Sequence, residues 1–382
     1  MSKRNVLICT VGTSLFYGNL SGLTEKTPNR PDNWENIKSA YENKNWTLLA
    51  RELLKLQPYD RICGAEINTI YDLIVKKRRN IDKLYLLVSD TEDGENTGRV
   101  LQEYFKKNSI IRISEVEFSK VEKLQDKKPK DFKSHGLRNL IREIAQIIQR
   151  VGGQENVMID ATGGYKAQIA IAVLIGIALN IPVSYKHERF SEIIDFPPMP
   201  ISFDYSFLGE YSQILSIMEK GNILSEEEIE FTESGEKILA LLEEMEEGGK
   251  TFYSLNYIGQ ILLTSYRLNN KKRIELRDAR EEERKEPSFR KDHYPKNFIE
   301  YMRKVWKENK WIKTAYTVSY NKQKAIKGIG FSVKEIDGKK ELVATYCDKN
   351  NFGSRFKIIC TDDSEDVLTW AALELNTKYG KY

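Results

Sequence analysis

The chain has 382 residues, 40% of them hydrophobic and 30% charged, and its 60 Lys and Arg nearly balance 56 Asp and Glu, for a net charge of +4. This is the profile of a folded protein of about two or three domains; it excludes a disordered chain, and the net charge by itself gives no argument for nucleic acid. The longest apolar run, Ile169 to Leu179, is far short of the ~18 residues that span a bilayer, and Cys9, Cys63, Cys347 and Cys360 form neither a CxxC pair nor a metal-ligand spacing.

Met-Ser-Lys-Arg leads directly into a strand-like run, so no signal peptide is expected. A cytoplasmic protein without a membrane anchor is the expectation. Three histidines leave little room for a His-rich metal site, and neither a metal nor a cofactor is expected.

In chain order, Asn5 to Cys9 is a short apolar run followed by a Gly-containing turn, the pattern of a buried strand. Leu84 to Val88 is a second, Ile110 to Ile113 begins a third, Val157 to Asp160 is a fourth and Ile181 to Tyr185 a fifth. Leu137, Leu140, Ile141, Ile144, Ile147 and Ile148 recur at helical spacing between them. Ala167 to Leu179 is apolar nearly all round, as in a helix that flanks a sheet and also meets another subunit. Strands alternating with helices predict a doubly wound α/β fold with a parallel sheet.

Ligands of such sheets bind beyond the carboxyl ends of the strands. Three polar, small-residue segments fall there: Thr10-Val11-Gly12-Thr13-Ser14, Ser89 to Gly98 with Thr91, Asn96 and Thr97, and Ala161-Thr162-Gly163-Gly164-Tyr165-Lys166. Glycines admit a ligand close to backbone N–H groups, hydroxyls add donors, and a helix N-terminus favours anions. An ordinary strand-to-helix turn would explain any one of them; three after three strands point to a ligand. Neither GxxxxGK[ST] nor GxGxxG occurs, which disfavours a P-loop enzyme or a hydride-transfer enzyme.

Charge is unevenly distributed. Gly221 to Gly248 holds ten Glu and one Lys, and Lys271 to Gly330 holds 18 Lys and Arg against nine Asp and Glu. This reads either as solvated helix faces or as an acidic helical linker followed by a module that meets a polyanion such as RNA. Further on, Phe298 to Trp306 has helical periodicity. Thr314–Tyr320, Ile329–Ile336, Glu341–Cys347 and Ser354–Thr361 read as four strands, with a hairpin turn at Asp337-Gly338, and Glu365 to Leu375 as a last helix. This is an α+β module.

Taken together, Val6 to Leu15 and Asp160 to Lys166 resemble the motifs of the CARF domain (CRISPR-associated Rossmann fold), over roughly residues 1–230. The resemblance implies a homodimer that binds a cyclic oligoadenylate across its twofold axis, with cyclic tetra-adenylate favoured over cyclic hexa-adenylate as the allosteric ligand. By matching position, Thr10, Gly12, Thr13 and Ser14, and Thr162, Gly163, Gly164 and Lys166, would contact ribose or phosphate. The loop holding Thr91, Asn96, Thr97 and Gly98 would close over adenine. Some CARF domains also cleave their ligand, and Ser14 and Lys166 match positions used for this ring-nuclease activity. Tyr165 departs from the Thr, Ser or Asn common before the Lys, and its ring could stack on adenine.

The resemblance divides the chain into a sensor at 1–225, a helical linker or small winged helix at 226–286, and an effector at 287–382. Three nucleases are weighed for the effector. A HEPN ribonuclease is helical and needs an Arg and a His four to six residues apart; His293 with Arg290 or Arg284 does not fit. A PD-(D/E)xK nuclease needs strand-borne metal ligands, whereas Asp337-Gly338-Lys339 falls in a turn and Glu308-Asn309-Lys310 at a helix end. The third, which the order of elements resembles, is RelE, a ribosome-dependent mRNA interferase. Lys322, Lys324, Lys327, Tyr346, Arg355 and Lys357 would then be its metal-independent catalytic group, acting on mRNA. A regulator that binds nucleic acid without cutting it, and a protein-binding module, remain open.

Overall fold

The computed structural model describes residues 4–187, 192–318, 328–348 and 352–382. The chain forms two compact units, Met1–Phe203 and Asp204–Tyr382.

The N-terminal unit is built on six strands: β1 (Val6–Thr10), β2 (Lys83–Ser89), β3 (Glu115–Val121), β4 (Val157–Asp160), β5 (Val183–Tyr185) and β6 (Ile194–Phe196). Their order is β3-β2-β1-β4-β5-β6, with all neighbours parallel except β5 and β6. This is the parallel-rich, Rossmann-like sheet expected. Its helices are α1 (Trp34–Glu42), α2 (Trp46–Leu53), α3 (Gly64–Tyr71), α4 (Glu92–Lys107), the single turn α5 (Pro129–Asp131), α6 (Leu137–Arg150) and α7 (Lys166–Leu179).

Side chains of a strand alternate between faces. Leu7 and Cys9 of β1 and Leu84, Leu86 and Val88 of β2 therefore enter one core, with Leu49 and Leu53 of α2, Ile67 and Ile70 of α3, and Val100, Leu101 and Tyr104 of α4. All six apolar residues of the α6 stripe are buried, each contributing roughly 1.5–3 kcal/mol of transfer free energy.

Two expectations differ. Ile110 to Ile113 is not strand; β3 begins at Glu115. Ile111 and Ile113 are buried beneath the turn that leads into it. The segment from Thr91 to Gly98 is not a loop either. Thr91 caps α4, its hydroxyl accepting from the Gly94 N–H at 3.0 Å, and Asn96, Thr97 and Gly98 lie inside that helix.

The C-terminal unit opens with α8 (Leu208–Glu219), β7 (Leu224–Ser225), α9 (Gly235–Leu239), β8 (Leu242–Glu247), β9 (Lys250–Leu255) and α10 (Tyr257–Asn270). The three strands form an antiparallel sheet ordered β7-β9-β8. The acidic stretch is thus mostly a strand pair and turns rather than a helical linker. Gly248 and Gly249, with φ of 59° and 73°, make the reversal between β8 and β9, which the Glu-rich run alone does not announce.

The remainder is α11 (Phe298–Glu308), β10 (Ile312–Val318), β11 (Gly328–Ile336), β12 (Lys339–Cys347), β13 (Gly353–Cys360) and α12 (Glu365–Tyr379), with an antiparallel sheet ordered β10-β13-β12-β11. The four strands and flanking helices fall where the period-two and helical patterns place them. Asp337 and Gly338 both have positive φ, 50° and 73°, as a two-residue hairpin turn requires. One face of this sheet, with Phe331, Val333, Leu342, Ala344, Phe356 and Ile358, packs on Phe298, Met302 and Val305 of α11 and Leu368, Ala372 and Leu375 of α12.

Candidate functional sites

In the N-terminal unit the strand order reverses between β1 and β4, and the two loops that leave them touch backbone to backbone. The Thr10 hydroxyl, fully buried, donates to the Gly163 carbonyl at 2.6 Å. A Cβ on Gly12 would stand 2.8 Å from the Gly164 nitrogen, and one on Gly163 would stand 2.8 Å from the Gly12 nitrogen and collide with the Glu66 carboxylate. Gly164 has φ +97°, the left-handed region that favours glycine. Glycines are needed here because two loops share the space of one.

Glu66 on α3 completes the arrangement. It is fully buried, and its Oε1 accepts from the Gly12 N–H at 2.8 Å. Asp160, at the end of β4, accepts from the Thr162 hydroxyl at 2.6 Å and from the Cys9 thiol at 3.2 Å. Burial pushes the Asp160 carboxyl up to about 6, and burial, with Asp160 nearby, pushes the Cys9 thiol well up. Gln168 accepts from the Tyr165 N–H at 2.6 Å through Oε1, while its Nε2, buried beneath the same turn, has no hydrogen-bond partner among the described residues.

These contacts sort the expected ligand residues. Thr10 and Thr162 are pins: Thr162 Oγ1 also accepts from the Lys186 N–H at 3.0 Å. Thr97 and Gly98 are covered inside α4, where the Thr97 hydroxyl donates to the Asp93 carbonyl at 2.7 Å, so they cannot fold over a base. Asn96 is buried as well, and the Thr91 hydroxyl is used in capping. Thr13, Ser14 and Lys166 remain accessible, and their side chains make no hydrogen bond or ion pair among the described residues. Lys166 stands at the first turn of α7, whose N-terminus adds a partial positive charge. Tyr165 is half-buried, edge-on to Phe132 at 5.2 Å.

Next to this site, α7 leaves Ile169, Ala170, Val173, Leu174 and Ile177 partly open at spacings that share one face. Glu66 and Gln168 are the site residues that sequence reasoning missed. Glu66 lies in a helical region that carries no motif, and Gln168 lies in a helix dominated by apolar residues.

The C-terminal unit holds a second candidate. The sheet face opposite the core carries Ser332 and Lys334 of β11, Thr345 of β12, and Arg355 and Lys357 of β13. A cleft of about 450 Å³ lies over part of this face, walled by α8 and by residues 228–234. Arg355 donates from Nε to the Thr345 hydroxyl at 3.2 Å.

Of the six residues expected to form the effector group, Lys322, Lys324 and Lys327 lie outside the described residues. Tyr346 is on the core face, against Phe298 and Tyr301, with its hydroxyl donating to the Lys296 carbonyl at 3.0 Å. The pleat puts Leu342, Ala344 and Tyr346 on one side and Thr345 on the other, so Tyr346 does not join Arg355. Lys357 shares the face of Arg355 but is paired with Glu341. Asp337 and Gly338 form the β11–β12 hairpin turn and Lys339 begins β12, and Glu308 accepts from the Tyr379 hydroxyl at 2.7 Å.

The model of a family described as CRISPR-associated protein (Cas_APE2256) matches residues 61–199. This supports association with CRISPR systems. The match spans β2 to β6 and the β4 loop, and ends before the C-terminal unit begins. No curated protein matches the sequence. No helix among the described residues is long and apolar enough to cross a membrane.

Proposed function

We propose that this chain is a cyclic-oligoadenylate-activated ribonuclease of type III CRISPR defence, acting in the cytoplasm on mRNA at the ribosome. The observation that carries the reading is the junction of the β1 and β4 loops at the point where the strand order reverses. Open sheets of this kind bind ligands at that crevice. Here Glu66, Thr10 and Asp160 fix the two loops from below, which leaves Thr13, Ser14 and Lys166 at the rim to meet ribose and phosphate.

The open apolar face of α7 supports a homodimer. A ring of identical nucleotides has rotational symmetry, and an isologous dimer can read it twice. Cyclic tetra-adenylate is the preferred ligand. Ring cleavage would need only orientation of a ribose 2′-hydroxyl beside its phosphate, with charge stabilised by Lys166 and the α7 N-terminus and Ser14 placed to assist.

For the effector, the α+β order of elements and the cations of the sheet face support a RelE-like, metal-independent mRNA interferase. Arg355 would neutralise the phosphate while the RNA 2′-hydroxyl attacks it.

A second reading is a regulator that binds nucleic acid without cutting it. The order α8, β7, α9, β8, β9 with strands β7-β9-β8 resembles a winged helix, with the single turn Glu226–Glu228 in place of its second helix, and supports this reading. The β8–β9 hairpin, however, carries Glu243, Glu244, Glu246 and Glu247, and such a wing repels a phosphate backbone.

The test is RNA integrity in a bacterial translation extract, with and without cyclic tetra-adenylate, beside the same RNA without ribosomes. Ligand-dependent cutting only where ribosomes translate is the expected result. Cutting in both tubes would replace the RelE-like reading with a ribosome-independent ribonuclease. Ligand binding without cutting in either would favour the regulator.

A further inference from the structure

The cleft of the C-terminal unit holds an anion site that is already occupied by the chain's own carboxylate. Lys334 Nζ lies 2.7 Å and Arg355 Nη2 3.8 Å from the same oxygen, Oε2 of Glu230. The two cations come from different strands, β11 and β13, and Thr345 of the strand between them holds the Arg355 guanidinium through Nε. Two side chains converging on one oxyanion from a rigid sheet is the geometry that recognises a phosphate oxygen.

A second, independent feature points the same way. Gln213 of α8 lines this cleft, is 7% exposed, and its Nε2 has no hydrogen-bond partner among the described residues. Its side chain lies over Gly330, where any Cβ would collide with it. A buried amide donor without an acceptor is destabilising, and a polar ligand entering the cleft would supply the acceptor.

The charges of the cleft explain why that ligand needs an opening step. Its cations are Lys334, Lys340 and Arg355, and its carboxylates are Glu210, Glu335, Glu228, Glu230 and Glu233. Lys340 is held by Glu210 at 2.9 Å. Three of the five carboxylates arrive on residues 228–234, a strap fastened by buried Ile229, by the Tyr211–Thr232 contact at 2.9 Å, and by the Tyr382 hydroxyl on Glu228 at 2.9 Å. With the strap in place carboxylates outnumber cations; with it withdrawn, the cations of the sheet prevail over Glu210 and Glu335.

We propose that this cleft is a phosphodiester subsite for single-stranded RNA, and that Glu230 on the strap is its intramolecular competitor. The inference rests on the ribonuclease reading above and adds to it where the RNA backbone sits and what keeps it out.

The test uses the full chain and a fluorescein-labelled, mixed-sequence RNA oligonucleotide, with binding read by fluorescence anisotropy at two salt concentrations. Glu230→Gln keeps the shape of the side chain and removes the competing charge, and losing a partly exposed ion pair of this kind corresponds to a gain in RNA affinity of up to about fivefold. Arg355→Ala in the Glu230→Gln background should erase the gain and flatten the salt dependence. Glu374→Gln, an exposed position of α12 on the other side of the sheet, makes the same change in net charge and should leave affinity at the wild-type value. A melting temperature for each variant shows that it is folded.

Equal affinity of wild type and Glu230→Gln, or an equal gain from Glu374→Gln, overturns the proposal. Tighter binding by Glu230→Gln without mRNA cutting in the translation extract would uphold the subsite and overturn the ribonuclease. Cutting with no effect of Glu230→Gln or Arg355→Ala on RNA affinity would do the reverse.

Discussion

The Glu66 carboxylate and the Gly12 backbone, 54 residues apart in sequence, are joined by a 2.8 Å hydrogen bond in which the Gly12 N–H donates. The bond gives the β1 loop a fixed height above the sheet, so a helix of the segment between β1 and β2 takes part in the candidate ligand site. Glu66→Ala would leave the N–H without its acceptor, at a cost of about 1–3 kcal/mol, and should weaken cyclic tetra-adenylate binding. Glu66→Gln keeps an acceptor oxygen and should recover most of both. Urea unfolding and calorimetric titration of the ligand decide this: wild-type stability and affinity in Glu66→Ala would make the bond incidental.

Asp160 gives a pH signature. Burial raises its carboxyl from the ordinary 3.8 to about 6. Between those values the folded chain holds a proton that the unfolded chain has released, so this group's contribution to stability is full below about pH 4 and is lost as pH rises through 6. Relative to Asp160→Asn, which cannot titrate, the wild type should lose on the order of 2–3 kcal/mol between pH 4 and 7. Denaturant midpoints of the two proteins across that range measure the difference. Parallel curves would show that Asp160 does not titrate in this window.

The backbone junction at Gly163 predicts intolerance to a single methyl group. A Cβ there would meet the Glu66 carboxylate, the Gly12 nitrogen and the Thr10 carbonyl oxygen, two of which are backbone atoms with nowhere to go. Gly163→Ala should destabilise the unit by about 1–3 kcal/mol and lower ligand affinity. Gly22→Ala, whose Cβ would meet nothing within 4 Å, is the neutral control, and similar melting temperatures for the two variants would count against a close junction.

Lys166 has no ion-pair partner among the described residues and stands at the start of a 14-residue helix. It is thus available to a phosphate without first breaking another contact. Lys166→Ala should abolish the response to cyclic tetra-adenylate at concentrations that saturate the wild type, with no change in melting temperature. An unchanged response would mean that the ligand does not use the β4 loop.

How much of this was legible follows from the reach of each signal. Strands β1, β2 and β4 are short apolar runs buried on both faces, β13 alternates along most of its length, and β11 and β12 are buried at their centres and meet at the Asp337-Gly338 turn, so local pattern finds them. β3 is less regular because Glu117 and Ser119 are only half-buried, and the four residues Ile110 to Ile113 before it carry the stronger apolar signal. Leu242 to Glu247 is rich in Glu, a good helix former, yet pairs with β9 because two glycines in the left-handed region turn the chain back. The Gly12 and Gly163 loops carry a motif and are legible in the sequence. Glu66, Gln168 and Glu230 act across 54, three and more than a hundred residues. Only Gln168 is near its partner, and a lone polar residue in an apolar helix gives no sign of which backbone group it serves.

The edge of the four-stranded sheet offers a test of the C-terminal unit that does not depend on its chemistry. β11 is an edge strand, and Asn376 of α12, 1% exposed, takes the place of a neighbouring strand. Its Oδ1 accepts from the Phe331 N–H at 2.9 Å, and its Nδ2 donates to the Phe331 carbonyl at 2.7 Å. The Ser212 hydroxyl of α8 donates to the same carbonyl at 2.7 Å. Asn376→Leu would orphan the N–H, at a cost of about 1–3 kcal/mol, while the carbonyl keeps Ser212. Ser212→Ala alone should cost less, because Asn376 still serves the carbonyl. The double variant leaves both backbone groups buried and unpaired, so its cost should exceed the sum of the two. Urea unfolding of the four proteins closes the cycle. Strict additivity would mean that the two donors do not share the Phe331 carbonyl, and that α8 and α12 hold the edge of β11 by packing alone.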